Sequence, residues 1–210
     1  MGKKHGKTLQ QMVSDSLRHL ALLLSAEPFD ISISVVSSPD KSAPLEQQVI
    51  RFNNPNIIVP GNMANDAFPN YSDKDHYAEI RREHRIGVLA GVPLFYLHNP
   101  LVKPLLANNR PNEYMFWSWL VTHYCGFVHN LNVSGEKDTY RYADRVLNNA
   151  RTSDDFGSIA LDYAAQMVKR SGPKALRQVV SASTTAEIHD MVKPREFLFH
   201  WYMQQQRKLS

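Results

Sequence analysis

Apolar residues recur every three or four positions over residues 8–25, and this spacing predicts an amphipathic helix. The apolar positions are Leu9, Met12, Val13, Leu17, Leu20, Ala21 and Leu24. The period then changes to two, because Ile31, Ile33 and Val35 alternate with serines, as expected for a half-buried strand. The segments "QQVIRF" and "NIIV" are further strand candidates. The pattern therefore predicts a small β ribbon near the N-terminal third.

Helical periods return after residues 60–75, a stretch rich in Pro, Gly, Asn and Asp that we expect to be a loop or an arm. "SDKDHYAEIRREHRIGVLAG" predicts a charged, solvent-facing helix that ends near Gly87 or Gly91. "NEYMFWSWLVTHYCGFVHN" is apolar on nearly every face and predicts the central helix of the core. Short helical structure is expected in "HNPLVKPLL". The chain changes from strand to helix at this point.

Helices of the last third are predicted over 140–151, over 156–170, after the capping box of Thr184 and Glu187, and in "REFLFHWYMQQQRKL". The fold class is therefore mainly α, a multi-helix core with a small β ribbon. We divide the chain into an N-terminal amphipathic helix or arm (1–27), short strands and a loop (28–75), and a helical core with a basic C-terminal third (76–210).

Composition is consistent with one such core, since 210 residues with 43% hydrophobic content can bury a substantial interior. The lone Cys125 lies among apolar neighbours and cannot form an intramolecular disulfide. We therefore expect a buried thiol and an intracellular, reducing location. The start of the chain does not resemble a secretory signal. The most apolar window, residues 114–128, is shorter than the roughly 20 residues of a membrane span, so no span is predicted.

Catalytic and metal-binding motifs of high specificity are absent from the sequence, so we predict no enzymatic activity, no metal and no cofactor. The best metal candidate is "HYAEIRREH", in which His76, Glu79 and Glu83 share a helical face. Arg81 and Arg82 within this stretch and Arg85 directly after it oppose a cation, which favours a salt-bridged helix instead. Cys125 and His123 could suggest a nucleophile and its base. They are two residues apart, however, and therefore point to different faces of a helix, which argues against such a pair.

Basic residues provide the strongest functional signal. Residues 1–138 carry 13 Lys and Arg against 13 Asp and Glu, whereas residues 139–210 carry 11 against 7. The candidate phosphate-binding residues are Arg141, Arg145, Arg151, Lys169, Arg170, Lys174 and Arg177. Four of them surround the "SGP" turn, and Tyr140 and Tyr142 offer rings for base stacking. A solvated basic face and buried tyrosines are the alternative interpretation.

Residues 141–178 resemble the C-terminal core of the coat proteins of flexible filamentous plant viruses. The likeness lies in an Arg-Tyr pair, a helix, the tetrad Ala160-Leu161-Asp162-Tyr163, and a basic turn before a further helix. It implies a helical core that holds single-stranded RNA in a groove and polymerises through extended arms. Asp162 and Arg141 are the two residues that match the family's RNA-binding pattern.

The sequence therefore predicts non-specific binding of single-stranded RNA or another polyanion by the C-terminal third. A homo-oligomeric coat or nucleocapsid subunit, located in a virion, is one form of this function. Two alternatives remain open, a helical adaptor that docks through residues 195–206 and an enzyme without a recognisable motif.

Overall fold

The computed structural model describes residues 8–24, 33–36, 49–53, 56–60, 77–150 and 156–192. Within these ranges the protein is mainly α-helical, as predicted. The helices are α1 (Leu9–Leu23), α2 (Ala78–His98), α3 (Val102–Ala107), α4 (Pro111–Val133), α5 (Glu136–Ala150), α6 (Phe156–Ser171), a 3-10 turn (Gly172–Ala175), α7 (Leu176–Ser181) and α8 (Thr185–His189). The loop expected over 60–75 and the last predicted helix lie almost entirely outside the described residues.

Three short strands follow α1 in the chain, β1 (Ile33–Val36), β2 (Val49–Asn53) and β3 (Asn56–Pro60). They form an antiparallel sheet in the order β1-β2-β3, with Ile33 opposite Phe52 and Asn53 opposite Asn56. Phe52 is fully buried and belongs to the same hydrophobic core as the helices. The sheet is thereby joined to the helical body.

Helix α1 packs against other helices of the same chain. Thr8 and Gln11 form a reciprocal capping box at its start. Its apolar stripe, including Val13, Leu17 and Leu20, is buried in contacts that involve α2 and α4. An exchange of this helix with a neighbouring molecule would first have to expose that apolar surface to water, which opposes it.

Helices α2 and α4 are antiparallel and form the most extensive contact of the fold. Glycines allow their backbones to approach closely. A Cβ atom on Gly87 would lie 2.7 Å from the Cα of Gly126 and 2.9 Å from the carbonyl oxygen of Cys125, and one on Gly91 would lie 3.0 Å from the Cα of Thr122. No side chain larger than hydrogen fits at these positions without separating the helices.

The prediction of a solvent-facing helix that ends near Gly87 or Gly91 is wrong. Helix α2 continues through Pro93 to His98, and Arg81 and His84 are 3% and 1% exposed. The face of this charged stretch that contacts α4 carries Gly87, Gly91 and His84. In contrast, the predicted central helix is confirmed as α4, in which fourteen residues are buried.

A buried histidine pair connects α2 and α4. His84 Nε2 lies 3.1 Å from His123 Nδ1, and the two rings are stacked with centroids 5.4 Å apart. The His84 ring also lies against Phe127 and Tyr142. Burial lowers the pKa of His123 to about 4 and, together with the nearby His123, His129 and Arg85, lowers the pKa of His84 well below its usual value. Both rings are therefore neutral in the folded protein at pH 7.

Replacement of Gly87 by Ala should destabilise the fold by about 1–3 kcal/mol, because the added methyl group meets the α4 backbone. The direction is informative, since Gly to Ala inside an exposed helix normally increases stability. Urea denaturation followed by circular dichroism measures the change. Asn148→Ala, at an exposed position of α5, is the control and should be neutral or slightly stabilising. Equal stability of Gly87→Ala and the wild type would disprove the close approach.

Acidification should destabilise the protein between about pH 6.5 and pH 4. Unfolded histidine has its usual pKa near 6.5, whereas folded His123 has a pKa of about 4, so the unfolded chain binds more protons in this window. The stabilisation is complete above the unfolded pKa and is lost as pH falls. His123→Gln should reduce the slope of unfolding free energy by up to about 1.4 kcal/mol per pH unit. Asn148→Ala, which removes no titratable group, should leave this slope unchanged.

Candidate nucleic-acid interface

The predicted basic residues lie along α5, the end of α6, the 3-10 turn and α7. Helices α5 and α6 pack against each other. Lys169, near the end of α6, donates a hydrogen bond to the Asp144 carboxylate on α5. This ion pair connects the two helices at the surface, so part of the positive charge of Lys169 is already neutralised.

The turn after α6 depends on Gly172. Its φ of +54° is left-handed, a conformation that glycine adopts without strain. The hydroxyl of Tyr124, on α4, donates to the carbonyl oxygen of Gly172, and the hydroxyl of Tyr140 lies 3.8 Å from the place of a Cβ on this residue. The Tyr124 hydrogen bond fastens the turn to α4, and the Tyr140 hydroxyl lies beside it.

Arg177 has a structural contact. Its Nη2 donates to the backbone carbonyl of Leu24 at 2.8 Å. Leu24 is the residue that ends α1, where carbonyl oxygens lack helical partners and the helix dipole attracts a cation. Arg177 therefore fastens the end of the first helix to α7. Arg177, a predicted phosphate-binding residue, thus also has a structural contact.

Arg170 and Lys174 line a shallow pocket of about 510 Å³ together with Ser171, Gln178 and Asp190. Both cationic side chains belong to exposed residues, and neither forms a salt bridge with another described residue. Sequence reasoning identified both cations. It did not identify Gln178 or Asp190. Asp190 lies beyond the basic segment and enters the pocket only because α8 folds beside the turn.

The remaining candidates are dispersed. Arg141 is exposed on α5, whereas Arg145 is half-buried, with its guanidinium carbon 4.8 Å from the centre of the Tyr77 ring. Asp162 is 2% exposed, and its Oδ2 accepts from Gln166 Nε2 at 3.3 Å. A carboxylate this deeply buried does not reach a ligand at the surface. Arg151 lies outside the described residues.

The two tyrosines proposed for stacking have different environments. Tyr142 is 1% exposed and packs in the core against the His84 and Phe127 rings. Tyr140 is half-buried beside the Gly172 turn. The interpretation of a core residue is therefore confirmed for Tyr142, and only Tyr140 has a ring edge near the basic pocket.

Cys125 is fully buried on α4, as predicted, and burial raises the pKa of its thiol to about 12. The thiol is therefore protonated at neutral pH and is a poor nucleophile. Within the described ranges no group of three His, Cys, Asp or Glu side chains is arranged to hold a metal ion. None of the helices described here has both the length and the apolarity of a membrane span.

Comparisons with protein-family models, with curated proteins and with solved structures find no match for this chain. The resemblance of residues 141–178 to filamentous-virus coat proteins therefore stays a prediction.

A stability measurement should distinguish Arg177, which has a structural contact, from Arg170, which is an exposed cation. Arg177→Gln removes the bond to the Leu24 carbonyl and should cost about 0.5–1.5 kcal/mol of unfolding free energy. Amide hydrogen exchange should accelerate at the end of α1. Arg170→Gln removes an exposed cation and should change stability by less than about 0.5 kcal/mol. Identical effects of the two variants would show that Arg177 does not hold α1.

Proposed function

We propose that the protein binds single-stranded nucleic acid, RNA included, through phosphate contacts at the pocket of Arg170 and Lys174. The observation that supports this most directly is the pocket itself, where two exposed cations flank a turn that Tyr124 fastens to α4 by a hydrogen bond. Guanidinium and ammonium groups bind phosphate oxygens without reading base sequence. The function is therefore sequence-independent binding.

Neighbouring residues extend this surface. Lys169 is 35% exposed despite its ion pair, and Arg141 is exposed on the adjacent helix α5. Tyr140 adds an aromatic ring next to the turn. A strand whose phosphates follow Arg141, Lys169, Arg170 and Lys174 would pass this ring, on which one base could stack.

Asp190 opposes phosphate at the same pocket, and its carboxyl side chain is 90% exposed. Water and salt screen an exposed charge. We expect Asp190 to reduce affinity moderately and to make phosphate binding depend on both cations together. Asp162 does not contact phosphate directly, since it is buried within α6 and is hydrogen-bonded to Gln166.

A homo-oligomeric coat or nucleocapsid subunit is the form of this function that the likeness of residues 141–178 implies. Such a subunit covers RNA irrespective of its sequence, in keeping with contacts limited to phosphate and one ring. Because α1 packs against α2 and α4 of its own chain, contacts between subunits would form through other surfaces or would require α1 to detach. The adaptor alternative rests on residues 195–206, outside the described part of the chain.

The double variant Arg170→Gln, Lys174→Gln should weaken binding of single-stranded RNA for every sequence. Fluorescence anisotropy with a labelled oligouridine and an oligoadenine, at several salt concentrations, measures it. Each lost phosphate contact should reduce the slope of log affinity against log salt by about 0.7. Asp190→Asn should have the opposite effect and increase affinity at low salt.

A matched control removes the same charge elsewhere. Lys103 and Lys137 are exposed on α3 and α5, so Lys103→Gln, Lys137→Gln has the net charge of the double variant but retains the pocket. This control should bind nearly as the wild type does. If the two double variants lose equal affinity, binding reflects overall charge and not this pocket. If the wild type does not bind RNA at low salt, the proposed function is wrong.

A further inference from the structure

Ser171 lies in the wall of the basic pocket, next to both of its cations. It is the last residue of α6, and it lines the pocket together with Arg170 and Lys174. Its side chain does not cap the 3-10 turn that follows, and no hydrogen bond joins its hydroxyl to another described residue. The residue is partly exposed, and its oxygen is not one of the buried polar atoms that lack a partner. The Ser171 hydroxyl is therefore accessible and uncommitted.

The sequence around Ser171 has a uniform positive charge. Lys169 and Arg170 precede it directly in "KRSGPK", and Lys174 follows three positions later. Residues 163–186 contain no Asp or Glu. Many protein kinases select their substrates by the charge pattern beside the acceptor residue. An accessible serine directly after two basic residues is a substrate of the kind that basic-directed kinases accept.

We propose that Ser171 is a phosphorylation site and that its phosphoryl group occupies the pocket of Arg170 and Lys174. ATP is the phosphoryl donor. The Ser171 Oγ forms a bond to the γ-phosphorus, the bond from this phosphorus to the β–γ bridging oxygen breaks, ADP leaves, and the hydroxyl proton passes to the kinase's catalytic carboxylate. The three phosphoryl oxygens then accept charge-assisted hydrogen bonds from the guanidinium and ammonium groups.

The charges of the pocket determine the effect of this modification. Two positive side chains and one negative side chain, Asp190, are among the described residues that line it. A phosphoserine adds about −1.5 to −2 at pH 7 and so reverses the sign of the pocket. The C-terminal end of α6 opposes the new charge, but its dipole equals only about half a negative charge, against two full positive charges. If the protein binds RNA as proposed, phosphorylation should therefore release it.

Occupation of the pocket can be tested without RNA. Phosphoserine is introduced at position 171 of the full chain during translation, and phosphorus nuclear magnetic resonance follows its titration. Its second pKa, about 6 in a free phosphoserine, should fall by about half a unit or more, because Arg170 and Lys174 stabilise the dianion. In the Arg170→Gln, Lys174→Gln background this pKa should return to about 6.

Phosphoserine at position 134 is the matched control. Ser134 also stands at the C-terminal end of a long helix, α4, but it lines a pocket that contains the carboxylates of Glu79 and Asp138. The second pKa of a phosphoryl group there should not fall below about 6. Equal pKa values at positions 134 and 171 would show that the phosphoryl group of Ser171 does not occupy the basic pocket.

Acceptance of the phosphoryl group is tested on the unmodified full chain. The catalytic subunit of cyclic-AMP-dependent protein kinase, with ATP, should phosphorylate Ser171, as located by mass spectrometry. Ser171→Ala should lose this site. Absence of phosphate from Ser171 after the reaction would show that the fold withholds the hydroxyl, and the assignment of a phosphorylation site would be wrong.

The effect on RNA binding rests on the proposed function and has its own measurement. Phosphoserine at position 171 should weaken oligouridine binding by tenfold or more at about 0.1 M salt, because two phosphate contacts are lost. Phosphoserine at position 134 should cause a smaller loss. Equal losses would reduce the effect to overall charge and overturn the inferred release. If the unmodified chain does not bind RNA, the proposed function fails, whereas the titration still decides whether the phosphoryl group occupies the pocket.

Discussion

The contact between α2 and α4 is the constraint on which the rest of the fold depends. Gly87 and Gly91 allow the two backbones to approach until a methyl group no longer fits between them, and Gly126 leaves space for the His84 ring. The other elements are arranged around this pair, because α1 lies against α2 and α6 lies against α4. Dispersion forces act over short distances, so the close approach gains many contacts along both helices. The absence of side chains at three positions is thus a source of stability.

The same contact explains how histidines are accommodated in an interior of this kind. The ring of His84 lies over Gly126, where a Cβ would come within 2.7 Å of its Cε1 atom. The glycine provides the space, and His123 provides a hydrogen-bond partner. A buried ring with a partner is tolerated as long as it is neutral. Histidine at this place therefore combines a packing role with sensitivity to acid.

Much of the fold could be predicted from local patterns, because they are properties of single segments. The apolar run of α4 and the capping box at Thr184 were interpretable without knowledge of any partner. The role of α2 could not be predicted in the same way. Its arginines suggest a solvent-facing helix, and the importance of Gly87 is visible only when α4 lies opposite. The basic candidates also differ in their contacts, because Lys169 pairs with Asp144 and Arg177 donates to the Leu24 carbonyl. Both partners are distant in sequence, so local patterns do not reveal these contacts.

The bond from Arg177 to the Leu24 carbonyl joins residues 153 positions apart, and this separation has a consequence for biosynthesis. Helix α1 leaves the ribosome well before the side chain that caps its end has been made. At about 5–20 residues per second, the interval is roughly 8–30 s. Until α2 and α4 have also been made, in the earlier part of this interval, α1 lacks the surfaces that cover its apolar stripe as well as its cap. The nascent chain consequently exposes an amphipathic helix, which is a suitable target for chaperones.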